Sequence, residues 1–153
     1  MTKIVTATAS VDSIGPLRKI VTDFVDAQTR VMLAGASSAA DWTPIAEFVA
    51  VDQFKRVGAY LEVLNFDEYC RFLSQWATGG TRFEMTEFHS TEVGDTVFQE
   101  IEERHHRGDT FIRKNVIAVY RFNDDKKIVH LDIYEQATDS GDWIKGAAKE
   151  AMK

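Results

Sequence analysis

The chain has 153 residues, 44% hydrophobic and 27% charged, the balance of one soluble globular domain that can bury about 68–70% of its unfolded surface without a disulfide or structural metal. Its one cysteine, Cys70, makes no internal disulfide or zinc framework, which points to a reducing, cytoplasmic compartment. A net charge of −6 with scattered Lys and Arg argues against nucleic acid, and no apolar run approaches the roughly 20 residues of a membrane span.

Residues 1–11 read as a flexible N-terminus without the basic-then-apolar order of a signal peptide. From Asp12 to Gly35, Leu17, Ile20, Val21, Phe24, Val25, Val31 and Met32 recur at helical spacing. Asp12 or Ser13 is the expected N-cap, Pro16 suits the first turn and Gly35 the left-handed position after the last. Ala36 to Ala40 is a loop, and a second helix is expected near Thr43 with Pro44 at its start and Ile45, Phe48 and Val49 turned inward. Phe54 to Val63 has no clean period, and a strand is placed at Arg56 to Glu62. Asn65 and Glu68 form a capping-box pattern ahead of Tyr69, Phe72, Leu73 and Trp76, which share one helical face before Gly79-Gly80.

After Gly80 the texture changes to segments rich in Thr, Phe, Val and Ile, divided by Gly94-Asp95, Gly108-Asp109 and Asn123-Asp124-Asp125. Four long strands are predicted, at Arg82 to Glu92, Thr96 to His106, Thr110 to Phe122 and Lys127 to Gln136. Only two prolines interrupt the chain. Strands of this length must twist and curl, so the expectation is an α+β fold: a bent antiparallel sheet, its concave side covered by the N-terminal helices. A tail helix is expected from Asp142, with Trp143, Ile144, Ala147 and Ala151 in phase.

The second half carries a resemblance. Val97-Phe98-Gln99-Glu100-Ile101-Glu102-Glu103-Arg104-His105, then Val119-Tyr120-Arg121-Phe122-Asn123, then Lys127 to Tyr134 resemble the final strands of the cone-shaped nuclear transport factor 2-like (NTF2-like, cystatin-like) superfamily. Within it, they resemble SnoaL-like polyketide cyclases, ketosteroid isomerases and limonene epoxide hydrolases. The resemblance implies a pocket between the concave sheet and the helices, and a homodimer through the outer sheet face.

Alternation puts Val97, Gln99, Ile101, Glu103 and His105 on one face of their strand and Phe98, Glu100, Glu102, Arg104 and His106 on the other. The first set mixes a few polar groups with apolar ones, as a pocket does. A carboxylate there, Glu103, is the candidate general acid or base, with His105 tuning it or acting as a second. Similarity to the epoxide hydrolases aligns Tyr60-Leu61-Glu62 with a Tyr-x-Asn motif and Ile101-Glu102-Glu103 with an Arg-x-Asp motif. Tyr60 and Glu103 carry over. Glu62 replaces an amide, Ile101 replaces the arginine, and the third acid falls at Ile133, so epoxide opening does not transfer. The acid of the ketosteroid isomerases that helps hold the oxyanion falls near Ala118.

The catalytic candidates are therefore Glu103, Tyr60, His105 and Glu62, and the ligand-binding candidates Gln99, Ile101, Trp76, Ala118 and Tyr120. His130, Asp132 and Tyr134 are expected on the outer face, provided Val129, Leu131 and Ile133 line the core. No helical His pair or Gly-rich phosphate loop is present, so neither metal nor cofactor is expected. The reading is a cofactor-independent acid–base enzyme for a small hydrophobic metabolite, performing isomerisation, cyclisation, dehydration or epoxide hydrolysis. A non-catalytic binding or assembly homodimer is the alternative.

Overall fold

Two tight turns organise the sheet. Gly94 and Gly108 have φ of 59° and 57°, the positive values that a two-residue hairpin of type II′ requires at its first central position. They fold β4 (Arg82–Val93), β5 (Thr96–Arg107) and β6 (Thr110–Phe122) into a meander that β7 (Ile128–Gln136) completes. The computed structural model describes residues 4–6, 15–78, 82–137 and 150–152.

Among the described residues, seven strands run in the order β1-β4-β5-β6-β7-β2-β3 as one curved sheet. The four long strands are antiparallel, as the turn spacing predicts. The flanking strands depart from expectation. Ile4–Thr6, placed by sequence in a flexible terminus, forms β1 and pairs in parallel with Met85–Glu87. Of the single strand expected at Arg56 to Glu62, Arg56 and Val57 are in β2 (Lys55–Val57), while Gly58 to Glu62 form the turn to β3 (Val63–Leu64), and β2 runs parallel to β7. The sheet is therefore mixed. The reversal comes at Gly58, where a Cβ would stand 1.7 Å from the Glu62 carboxylate.

Helix α1 spans Pro16–Leu33 and buries Leu17, Val21, Phe24, Ala27 and Val31, the three-and-four stripe seen in the sequence. Its N-cap is Gly15, with no side-chain cap. Asp12 and Ser13 lie outside the described residues; the Glu92 carboxylate of β4 accepts from the Arg18 N–H at 2.9 Å, so an acid from the sheet serves the first turn. After Gly35, at φ 79°, a 3₁₀ turn (Ala39–Trp42) runs into the single turn of α2 (Thr43–Ala46). This second helix is shorter than expected, because Val49 bridges to Ile128. Helix α3 (Phe66–Thr78) opens on the anticipated capping box: Asn65 N–H donates to Glu68 at 3.2 Å and Glu68 N–H to Asn65 Oδ1 at 2.9 Å. Gly79-Gly80 and most of the expected tail helix, including Trp143, Ile144 and Ala147, lie outside the described residues.

The core lies between α1, α3 and the concave sheet face, joining Val21, Phe24, Tyr69 and Leu73 to Val97, Ala118, Tyr120 and Leu131. An adjoining cluster of Met85, Ile101 and Val116, packed by Val25, Phe83 and Ile133, continues it along the sheet. A register shift between Arg121 and Phe122 turns Ile128, rather than Val129, into the core beside Leu131 and Ile133.

Candidate functional site

The alternation along β5 is realised: Val97, Gln99, Ile101 and His105 are buried, while Phe98 and Glu100 on the other face are exposed. Glu103 lies between Ile101 and His105 with 19% of its side chain exposed. Its Oε2 stands 3.0 Å from His105 Nε2. An ionised carboxylate only accepts hydrogen bonds, so this contact calls for a ring proton on Nε2, and in the neutral ring Nδ1 then carries the lone pair. His105 is 6% exposed, and its Nδ1 has no hydrogen-bond partner among the described residues. Two aromatic rings hold the imidazole: Trp76 of α3, edge-on with centroids 4.6 Å apart, and Phe83 of β4 at 5.0 Å.

Two further residues complete the cluster. The Gly108-Asp109 turn pairs Arg107 with Thr110, and by the same register Glu103 with Lys114. Lys114 Nζ is 2.9 Å from Glu135 of β7 and 3.8 Å from Glu103 Oε2. One ammonium thus bridges two carboxylates at the edge of the apolar floor. Lys114 is absent from the sequence-derived set although the turn already encodes its position opposite Glu103; Glu135 follows only once β7 is registered against β6.

The other candidates separate into two groups. Gln99, Ile101, Ala118 and Tyr120 all lie on the concave face at 5% exposure or less, and Trp76 joins them through His105. Tyr60 does not: it is 89% exposed in the β2–β3 turn, where its backbone N–H donates to Glu62. Glu62 reaches the site only indirectly, through a 3.5 Å contact with Arg56. The Arg56 guanidinium sits 4.8 Å from the Phe72 ring centroid and 5.6 Å from that of Tyr69. The alignment of Tyr60-Leu61-Glu62 with a strand motif fails because these residues form a turn, with Leu61 at φ 63°.

His130, Asp132 and Tyr134 occupy the outer face. His130 Nε2 is 3.0 Å from Asp132, which also pairs with Arg121. A groove of about 470 Å³ between α1 and α2, lined by residues including Ala27, Arg30, Pro44 and Phe48, contains none of the candidate residues. No group of three or more metal-ligating side chains occurs among the described residues, and no described helix is long and apolar enough to cross a membrane.

Several interior groups resist ionisation. Burial pushes the Tyr69 phenol up from 10.0 to about 12, the Arg56 charge opposing the rise. Burial, reinforced by the Asp67 charge, pushes the Cys70 thiol from 9.0 to about 11. Tyr120 moves in the same direction through burial, with Tyr69 and Glu103 adding to the effect. Cys70 is therefore a packed thiol and not a nucleophile at neutral pH. Because these folded values exceed the unfolded ones, the contribution of these groups to stability is full below pH 9 and is lost as pH rises through about 11 for Cys70 and about 12 for Tyr69. Urea midpoints measured from pH 7 to 11 check the direction; a midpoint that rose above pH 9 would contradict the burial of these groups.

No protein-family model matches the chain, and no curated protein matches it in sequence. Solved structures do match. A putative SnoaL-like polyketide cyclase from Shewanella putrefaciens CN-32 superposes with a TM-score of 0.63 at 9% identity, covering 94% of this chain and 91% of that one. The chain has the NTF2-like fold. The counterpart from Shewanella denitrificans OS-217 gives 0.62 at 10% identity over 91% of this chain and 100% of its own. An LEH-like epoxide hydrolase from M. tuberculosis gives 0.55 at 15% identity, over 86% and 98%. At these identities the NTF2-like likeness concerns backbone architecture, and the chemistry must be argued from the side chains.

Proposed function

We propose that this NTF2-like protein is a cofactor-independent enzyme that moves a proton on a small hydrophobic molecule, with Glu103 and His105 acting as a pair. The observation that carries this reading is the buried imidazole whose Nε2 engages Glu103 while Nδ1 stays without a partner. A buried polar atom left unpaired has a desolvation cost of about 1–3 kcal/mol, and at an enzyme site that cost is offset when a substrate supplies the missing proton. Glu103 fixes the tautomer and stabilises the imidazolium formed when Nδ1 takes a proton. Lys114 Nζ stands 3.8 Å from Glu103 Oε2, and Ile101, Val116 and Trp76 give the apolar surroundings. Abstraction next to a carbonyl, followed by return of the proton elsewhere, is isomerisation; departure of a leaving group instead is dehydration or ring closure. Tyr60 and Glu62 have no part in this scheme. A panel of enones, β-hydroxy ketones, lactones and epoxides, assayed with the wild type and with Glu103→Gln, tests it.

The same reading makes the protein a homodimer through the outer face. Phe98 of β5, Ile117 of β6 and Tyr134 of β7 are 42%, 37% and 59% exposed, and Ile117 pairs directly with Tyr134. Exposed Glu100 stands opposite Ile117 within this strip, and both signs of charge border it, Glu102 with Arg104 and Asp132 with Arg121, so a two-fold operation can set unlike charges against each other. Ile117→Glu should convert the dimer to monomer at micromolar concentration, as read by light scattering after gel filtration. A wild type that is monomeric in the same measurement refutes the interface.

A further inference from the structure

A second polar position on the concave face has no role in the proton transfer. Gln99 is 2% exposed, its Nε2 is directed at the Glu87 carboxylate at 3.5 Å, and its Oε1 has no hydrogen-bond partner among the described residues. Because a carboxylate can only accept, the contact with Glu87 identifies which end of the amide is nitrogen and leaves the carbonyl oxygen as a buried acceptor. Directly across from Gln99 is Ala118, the smallest side chain on this stretch of the floor, itself opposite Ile133. Diagonal to Gln99, two residues beyond Ala118, is Tyr120, 5% exposed and kept protonated by burial beside the charges of Glu103 and Glu87. A protonated phenol donates and the amide oxygen accepts, so this corner of the sheet presents one donor and one acceptor over a small residue.

We propose that Gln99 and Tyr120 form the anchoring end of an elongated ligand site, and that the ligand they hold is an apolar molecule bearing a hydroxyl group. A hydroxyl is the smallest group that donates to Gln99 Oε1 while accepting from Tyr120. Gln99 and Glu103 are four residues apart on one strand, about 13 Å at the usual rise per residue. Ile101 stands between them with Val116 and Ile133 alongside. The ligand therefore extends over an apolar floor from its buried hydroxyl to a reacting end at His105. The proposal rests on the acid–base reading for that far end, whereas the hydroxyl anchor is tested by binding alone.

The experiment compares 1-decanol with decyl methyl ether, which has nearly the same shape and no donor, by NMR titration and thermal shift of the full chain. A net hydrogen bond to a buried neutral group corresponds to roughly tenfold in affinity. Decanol should bind about tenfold more tightly than the ether, with the Gln99 side-chain amide resonances moving only for decanol. Gln99→Met should abolish that preference with little change in ether affinity, whereas Tyr120→Phe should weaken both probes alike, because the ether oxygen accepts from the phenol as the alcohol oxygen does. Equal affinities for the two probes, absence of saturable binding by either, a preference that survives Gln99→Met, or affinities unmoved by Tyr120→Phe overturns the anchor. If the probes bind alike while Glu103→Gln still abolishes turnover, the anchor falls and the acid–base reading stands. If decanol is preferred and no compound of the panel is converted, the anchor stands and the catalytic reading falls.

Discussion

Glu103→Gln should lower turnover of any converted panel compound by about 10²–10⁴-fold, the usual range for loss of general acid–base catalysis, while leaving the thermal midpoint nearly unchanged. The side chain keeps its size, and Lys114 keeps Glu135 as a partner at 2.9 Å. What changes is the charge. A glutamine can still accept from His105 Nε2–H through its amide oxygen, but it is neutral, so the imidazolium formed when Nδ1 takes a proton loses the carboxylate that stabilises it. Nitrogen-15 shifts should report the Nε2–H tautomer for His105 in the wild type. His105→Gln should cost as much as Glu103→Gln, and the double variant scarcely more, because the two side chains act as one unit. Turnover within threefold of wild type in Glu103→Gln, or an Nδ1–H tautomer in the wild type, would refute the pairing.

The largest effect on stability is expected at Trp42. This residue ends the 3₁₀ turn, is fully buried, and donates from Nε1 to Ser74 Oγ at 2.7 Å; the Ser74 hydroxyl in turn donates to the Cys70 carbonyl at 2.9 Å. One side chain therefore ties the irregular stretch after α1 to the interior face of α3, the helix that also carries Trp76 against His105. Trp42→Ala should cost about 3–5 kcal/mol, since it removes a large apolar surface from a site that rigid neighbours prevent from collapsing. Ser74→Ala keeps the packing but leaves a buried indole N–H without its acceptor, which should cost about 1–3 kcal/mol. Urea unfolding read by far-UV circular dichroism measures both, with a lower midpoint and unchanged slope as the expected pattern. A Trp42→Ala loss below 1 kcal/mol would mean that this junction is not part of the cooperative core.

Much of the architecture is local and therefore visible in the chain itself. Gly-Asp pairs set the hairpins, the Asn65–Glu68 box starts α3, and the period of two along β5 assigns Glu103 and His105 to the same face as Val97 and Ile101. Each of these depends on residues a few positions apart, within reach of steric and hydrogen-bonding rules that act along the backbone. The Phe54–Val63 stretch shows where such rules give out. Its apolar spacing fits a strand as well as a turn, and the hairpin there is decided by β2 finding the edge of β7, a parallel pairing between segments about 75 positions apart. Tyr60 fell outside the site for that reason.

The candidate site divides along the same line. That Glu103 and His105 share a face follows from the sequence alone, as does Lys114 opposite Glu103 once the Gly108-Asp109 turn is given its register. Only the folded sheet and its helices determine that Glu135 meets Lys114, that Trp76 and Phe83 close on the imidazole, and that Gln99 is buried with its oxygen unpaired. Those contacts join elements distant in the chain, and their geometry is settled by how side chains of unequal size pack between a curved sheet and two helices, which periodicity does not encode.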